Sequence, residues 1–228
     1  MIPVFCGFDP REEAGTHVFT SSLIHRSSAP VSVTPLHLNH FRSFYSKGQR
    51  DGTNAFIYTR FLIPFLQDWR GWAIFCDGAD MLLRADIAEL WSLRDLYKAV
   101  QVVKHDYKTK HPRKYVGTAM EADNHDYPRK QWSSVMLINC GHYHWRDMTP
   151  ERVEQMTGPE LHRFSWLRDD LIGGLPIEWN WLADEFGPNP DAKLLHWTAG
   201  VPAFPHYANA PHADELRQQL STVNHVTP

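Results

Sequence analysis

The chain has 228 residues, with 23 Lys and Arg against 26 Asp and Glu and a formal net charge of −3. At 43 % hydrophobic and 21 % charged it has the composition of one folded domain with a sizeable core, which excludes global disorder. The near-neutral balance leaves no electrostatic footprint for nucleic acid or an anionic membrane. Its longest apolar run, Phe61 to Leu66, is interrupted by Pro64 and falls far below the roughly 20 residues of a membrane span.

Apolar runs of strand length recur along the chain. Ile2 to Gly7 comes first. Asp9-Pro10-Arg11-Glu12 then reads as a helix start, with a capping carboxylate, a proline in the first turn and an acid three residues after the cap. Val31 to Leu38 is a second strand, and Asn54 to Phe65 is helix-like until Pro64 ends or kinks it. Gly71 to Cys76 is a third strand. Asp86-Ile87-Ala88-Glu89 opens a capped helix that carries Leu90 and Trp91. Ala99 to Val103 and Ser133 to Asn139 are further strands, Thr149-Pro150-Glu151 opens another helix, and Lys193 to Trp197 is the last strand. Most of these runs are apolar throughout, as in strands covered on both faces. Strands alternating with helices predict an α/β domain with a mostly parallel central sheet flanked by helices. The expected domain covers residues 1–210, followed by a tail over 211–228 whose short helix docks through Leu216 and Leu220. Cys6, Cys76 and Cys140 are odd in number, widely spaced and set in apolar stretches, so they read as buried thiols of a reducing compartment. No basic, apolar leader precedes them, and the expected location is cytoplasmic.

In such sheets ligands bind at the carboxyl ends of strands. The chain lacks a Gly-x-Gly-x-x-Gly fingerprint, a phosphate-binding Gly-x-x-x-x-Gly-Lys-Ser/Thr loop, a Gly-x-Ser-x-Gly elbow and a His-Glu-x-x-His helix. Its sharpest feature is Gly71 to Leu82, a buried strand that runs into Asp77-Gly78-Ala79-Asp80. Carboxylates are hard oxygen ligands suited to Mg²⁺ or Mn²⁺, and small neighbours let a bulky anion approach the backbone. A strand-end turn followed by a solvated loop acid would account for the same two residues. His196, at the end of the last strand, is the natural third ligand.

The order of motifs resembles glycosyltransferase family 8, whose members have the GT-A fold of nucleotide-diphospho-sugar transferases. The resemblance rests on Val4-Phe5-Cys6-Gly7-Phe8-Asp9, on Tyr58-Thr59-Arg60, on the Asp77 to Leu82 segment, on Ser133 to Asn139 and on His196, spanning about residues 2 to 207. It implies that Gly7, Phe8 and Asp9 hold the base and ribose, that Arg60, Asp77 and Ser134 contact the donor, and that Asp77, Asp80 and His196 bind Mn²⁺ or Mg²⁺. It sets Asp169 or its neighbour Asp170 beside the anomeric carbon. The implied activity is transfer of a sugar from a nucleotide-diphosphate donor, a UDP-sugar first, to a glycan, lipid or protein hydroxyl, with retention.

The chain departs from the family at three places. The acidic pair is Asp-x-x-Asp, one residue longer than Asp-x-Asp, and Gly78 is the residue that could absorb the excess as a bulge. Ser133-Ser134 stands where the family often has Asn-x-Gly. No lysine follows His196, so a substitute cation for the diphosphate is sought in the basic stretch from Lys104 to Lys114, which a solvated loop would equally explain. Among the aromatics, Trp72, Trp91 and Trp179 read as core and Trp197 as facing the ligand. Two rivals remain. A sugar nucleotidyltransferase would carry a Gly-rich basic loop where Asp9 to Glu13 is acidic, and a non-catalytic sugar or nucleotide-sugar binder would tolerate the altered acidic spacing.

Overall fold

Because most of the strand runs are apolar throughout, they can be buried on both faces, and the architecture follows from that; the edge strand Val31–Leu36, with Ser32 and Thr34, is the partly exposed exception. The computed structural model describes residues 1–46 and 54–223. In chain order its elements are β1 (Ile2–Gly7), α1 (Glu13–Arg26), β2 (Val31–Leu36), α2 (Ile63–Leu66), β3 (Trp72–Cys76), β4 (Met81–Leu83), α3 (Ile87–Ser92) and β5 (Val100–Val102). There follow β6 (Arg113–Lys114), β7 (Ala122–Asp123), β8 (Val135–Asn139), α4 (Pro150–Gln155), α5 (Gly158–His162), β9 (Ile172–Gly174), β10 (Trp181–Leu182), α6 (Ala183–Phe186), β11 (Leu194–His196) and α7 (Ala213–Val223). Six strands form the central sheet in the order β2-β1-β3-β8-β5-β9. Within it β8 runs against its neighbours β3 and β5, and the remaining pairings are parallel.

Alternate residues of each strand feed two cores, one on either side of the sheet. Phe5, Phe75 and Met136 point to a core completed by Phe61, Trp145 and Phe164. Val4, Ile74 and Leu137 point to the other, completed by Phe19 and Leu23 of α1 and by Ile87 and Leu90 of α3. Trp179 is in that second core, with Trp72 and Trp91 packed at its margin. A three-stranded sheet, β10-β11-β4, adjoins the first, and β6 and β7 form a small antiparallel hairpin.

The expected caps are present at Asp86, whose side chain accepts the Ala88 N–H at 2.9 Å, and at Thr149, which accepts that of Arg152 at 3.3 Å. Asp9 caps a short 3₁₀ turn over Pro10–Glu12 that leads into α1. Pro64 does not end a helix. The preceding residues form a 3₁₀ turn over Thr59–Leu62, and Pro64 lies in the first turn of α2, where its missing N–H costs nothing. All three cysteines are buried and free. The tail helix α7 docks on α1 through Leu216 and Leu220 beside Val18, and the final residues 224–228 of the expected tail lie outside the described residues. No helix among the described residues is long and apolar enough to cross a membrane.

Candidate metal and substrate cleft

The connection from β3 to β4 is the four-residue turn Asp77-Gly78-Ala79-Asp80. The Asp77 N–H donates to Ser134 O at 2.9 Å, which ties the turn to the start of β8, and Ala79 N–H folds back on Asp77 O at 2.8 Å. Gly78 has φ of +75°, a conformation that side-chain-bearing residues rarely adopt. From outside, α1 presses on the same turn. A Cβ at Gly15 would lie 1.7 Å from the Ala79 carbonyl oxygen, so only glycine allows the helix this close. Gly78, expected as a bulge that absorbs the extra residue of Asp-x-x-Asp, lies in this tight turn outside the strand ladder.

β11 supplies the third group. It pairs antiparallel with β4, His196 opposite Met81, and the Trp197 N–H donates to Asp80 O at 3.0 Å. One ligand atom each from Asp77, Asp80 and His196 then lie within 4.8 Å of one another, all three side chains buried. His196 Nε2 is 3.4 Å from Asp80 Oδ1.

The orientation of the imidazole follows from a chain of hydrogen bonds. Ser134 Oγ donates to Gln131 O at 2.7 Å and so accepts from Asn180 Nδ2 at 2.8 Å. The Asn180 Oδ1 therefore faces His196 Nδ1 at 2.9 Å and accepts its proton, which leaves Nε2 directed at the acidic pair. Asn180 is fully buried, at 0 % exposure. No local pattern marks Asn180, which sits in a run of aromatics. The Ser134 side chain, expected as a donor contact, is the anchor of this chain.

Cationic side chains complete the cleft. Arg60, from the 3₁₀ turn before α2, pairs with Asp77 at 2.5 Å and donates to Ser133 O at 2.8 Å, its guanidinium over the Phe75 ring at 4.7 Å. Lys114, at the end of β6, is the cation of the basic stretch that reaches the cleft wall; Lys104, Lys108 and Lys110 are exposed. Its strand is held there because the Tyr115 N–H donates to Ala199 O at 2.7 Å, just past β11. The cleft has a volume of about 450 Å³, and its walls include Tyr58, Tyr127, Ser133, His162, Arg163 and Thr198 besides the groups above.

Burial and charge shift the protonation of these groups. Burial pushes the Asp77 carboxyl up to about 6, with Arg60 opposing the rise and Asp80 adding to it. Burial disfavours the His196 imidazolium, but the charge and hydrogen bond of Asp80, then Asp77 and Asp184, outweigh it and raise its pKa. Burial pulls the Lys114 ammonium down despite the nearby Asp80 and Asp77. Glu12 is the acid of the helix start, as expected, and is also buried behind the turn at 2 % exposure. Neither of its oxygens has a hydrogen-bond partner among the described residues. Burial, followed by the charges of Asp80, Asp9 and Asp77, holds its carboxyl well above the usual range.

No protein-family model matches the chain. Over 230 aligned residues it is 39 % identical to protein CDI of Arabidopsis thaliana, an alignment that covers 97 % of this chain and 86 % of that protein. The chain belongs to the CDI family. Among solved structures, this CDI-family fold is similar to the apo bifunctional glycosyltransferase WbbM, with a TM-score of 0.67 at 15 % identity, covering 96 % of this chain and 49 % of that one. It is also similar to galactosyltransferase LgtC in complex with donor and acceptor sugar analogs, with a TM-score of 0.62 at 13 % identity over 99 % of this chain and 98 % of that one. For the glycosyltransferase GlyE of Streptococcus pneumoniae TIGR4 the TM-score is 0.62 at 12 % identity, over 98 % of this chain and 63 % of that one. The chain thus spans about half the length of WbbM. These likenesses establish the GT-A glycosyltransferase fold for the CDI-family chain.

Other residues singled out from sequence lie elsewhere in the CDI-family chain. Asp9 is buried, bridging Arg11 and the Ala55 N–H, and does not line the cleft. Gly7 is covered by the Phe56 ring, and Phe8 packs against His37 with ring centres 5.3 Å apart. Asp169 is 85 % exposed and paired with Arg129, and Asp170 is exposed and paired with Arg168; neither lines the cleft. Trp197 does not face the cleft either. Its indole N–H donates to Pro211 O at 2.8 Å and its ring packs under α7, because the strand alternation that aims His196 inward turns its neighbour the other way.

Proposed function

We propose that this chain is a metal-dependent glycosyltransferase of the family 8 type, moving a sugar from a nucleoside-diphosphate donor, UDP-linked, to an acceptor hydroxyl with retention at the anomeric carbon. The observation that carries the reading is the meeting of Asp77, Asp80 and His196, from two strand ends, in a cleft that also holds Arg60 and Lys114. Two carboxylates and one imidazole are a donor set that fits Mn²⁺ or Mg²⁺. Asp80 Oδ1 is buried and faces His196 Nε2 at 3.4 Å, as two ligand atoms turned toward one cation would. When bound, the ion supplies neutralisation of the diphosphate as leaving group.

In this reading Asp77, Asp80 and His196 hold the ion, and Asn180 fixes the imidazole toward it. Lys114 pairs with a phosphate oxygen, in place of the family's lysine after His196. Arg60 keeps the Asp77 carboxylate from swinging away, since the guanidinium is itself pinned by Ser133 O. Gly7, Phe8 and Asp9 do not line this cleft and receive no donor contact in this reading. Asp169 and Asp170 receive no step, being exposed and ion-paired away from the cleft.

Calorimetric titration of UDP with and without Mn²⁺ tests the reading. Wild type is expected to bind UDP in a metal-dependent manner, and Asp80→Asn to lose at least about tenfold in that affinity. Wild type that binds UDP no better with Mn²⁺ would overturn it. The placement of Asp169 and Asp170 favours a second reading, a non-catalytic nucleotide-sugar binder. That protein would bind the donor without the slow release of free sugar expected of a transferase lacking its acceptor.

A further inference from the structure

One charge in the cleft is left over when the others are matched, and it bears on the kind of sugar bound. Arg60 is neutralised by Asp77 at 2.5 Å, and Asp123 at the cleft margin is taken by Arg113 at 2.9 Å. Asp80 and Lys114 contribute one charge of each sign to the cleft wall. A divalent ion would match the two charges of a diphosphate diester. Arg163 is then unmatched. It follows α5 on the cleft wall beside Gly158, Pro159 and His162. Among the described residues no carboxylate lies within ion-pair distance of it, and its Nε is buried with no hydrogen-bond partner. The Tyr127 phenol senses both Arg60 and Arg163, which sets Arg163 in the same electrostatic neighbourhood as the Asp77 pair.

A buried guanidinium N–H without an acceptor costs free energy unless a ligand completes it. The guanidinium fork is shaped for two parallel bonds to a carboxylate or phosphate. We infer that the cleft takes a sugar bearing an anionic group, and that Arg163 reads that group; this rests on the nucleotide-sugar reading above. Neutral hexoses would leave the buried Arg163 Nε–H without an acceptor.

The experiment uses the full chain with Mn²⁺ and UDP, titrated calorimetrically with glucose, glucuronate and glucose 6-phosphate. UDP-glucose and UDP-glucuronate are titrated separately with Mn²⁺. The first set reports an anion on the acceptor and the second an anion on the donor, while glucuronate against glucose 6-phosphate separates carboxylate from phosphate. In at least one arm the anionic sugar is expected to bind wild type about tenfold or more tightly than its neutral partner. Arg163→Gln is expected to erase that preference, and Arg163→Lys to keep part of it. Equal affinities in every arm of the wild type overturn the inference, whatever the variants do. So does a preference that survives in Arg163→Gln. If UDP and Mn²⁺ fail to bind wild type but the free anionic sugars are still preferred through Arg163, the nucleotide-sugar reading falls and the anion site stands.

Discussion

Glu12 and Asn180 sit behind the cleft and set its properties from there. The Glu12 carboxyl is held well above its ordinary value of 4.5, first by burial and then by Asp80, Asp9 and Asp77. For an acid with a raised folded value, the unfolded chain releases its proton first, so stability falls as pH rises above about 4.5 toward the folded value. Glu12→Gln removes that penalty. In EDTA its melting temperature is expected to exceed wild type by a few degrees at pH 7.5 and to converge with it near pH 4, where both states keep the proton. An unchanged melting temperature at pH 7.5 would mean that the buried carboxyl has found relief. For Asn180, the chain from Gln131 O through Ser134 Oγ to His196 Nδ1 predicts that Asn180→Leu frees the imidazole to rotate and lowers Mn²⁺ affinity by about 10- to 100-fold in titration. The two carboxylates and His196 were legible in the sequence because strand ends are where sheet proteins bind, and each follows an apolar run. Glu12 and Asn180 were not. Their roles come from contacts across 68 and 16 residues of chain, to Asp80 and His196, that no local pattern encodes.

Among the elements, α1 and the β3–β4 turn form the tightest pair. Gly15→Ala would drive a methyl group into the Ala79 carbonyl, a backbone atom that cannot turn aside. The expected cost is about 2–4 kcal/mol in chemical denaturation, although alanine is the better helix former, and Mn²⁺ binding should weaken as the turn shifts. A variant as stable as wild type would show that helix and turn can part freely. Strands β1, β3 and β8 were legible to within two residues because burial on both faces leaves an unbroken apolar signature. The three-residue β4 and the two-residue β6, β7 and β10 are too short to show a period of two, and so the hairpin that carries Lys114 was hidden. Pro64 misled for a different reason: a proline that ends one helix and a proline in the first turn of the next leave the same local mark.

At the scale of the whole molecule, α7 closes the layer outside the small sheet. Leu216 packs with Val18 of α1 and with Leu195 and Trp197 of and after β11, and Arg26 donates to Gln219 at 3.1 Å. Leu216→Ala is expected to cost about 2–4 kcal/mol, read from the urea midpoint, while UDP binding below the transition stays near wild type. The docking of this helix could be anticipated from its paired leucines, whereas its partner surface, assembled from α1 and β11, could not. The candidate ligands also divide between the two sheets. Asp77 follows a strand of the large one, His196 ends a strand of the small one, and Asp80 immediately precedes β4, also of the small one. A cation seated among them would act as a rivet against shear between the layers, so that the protein's resistance to heat would rise and fall with its supply of metal.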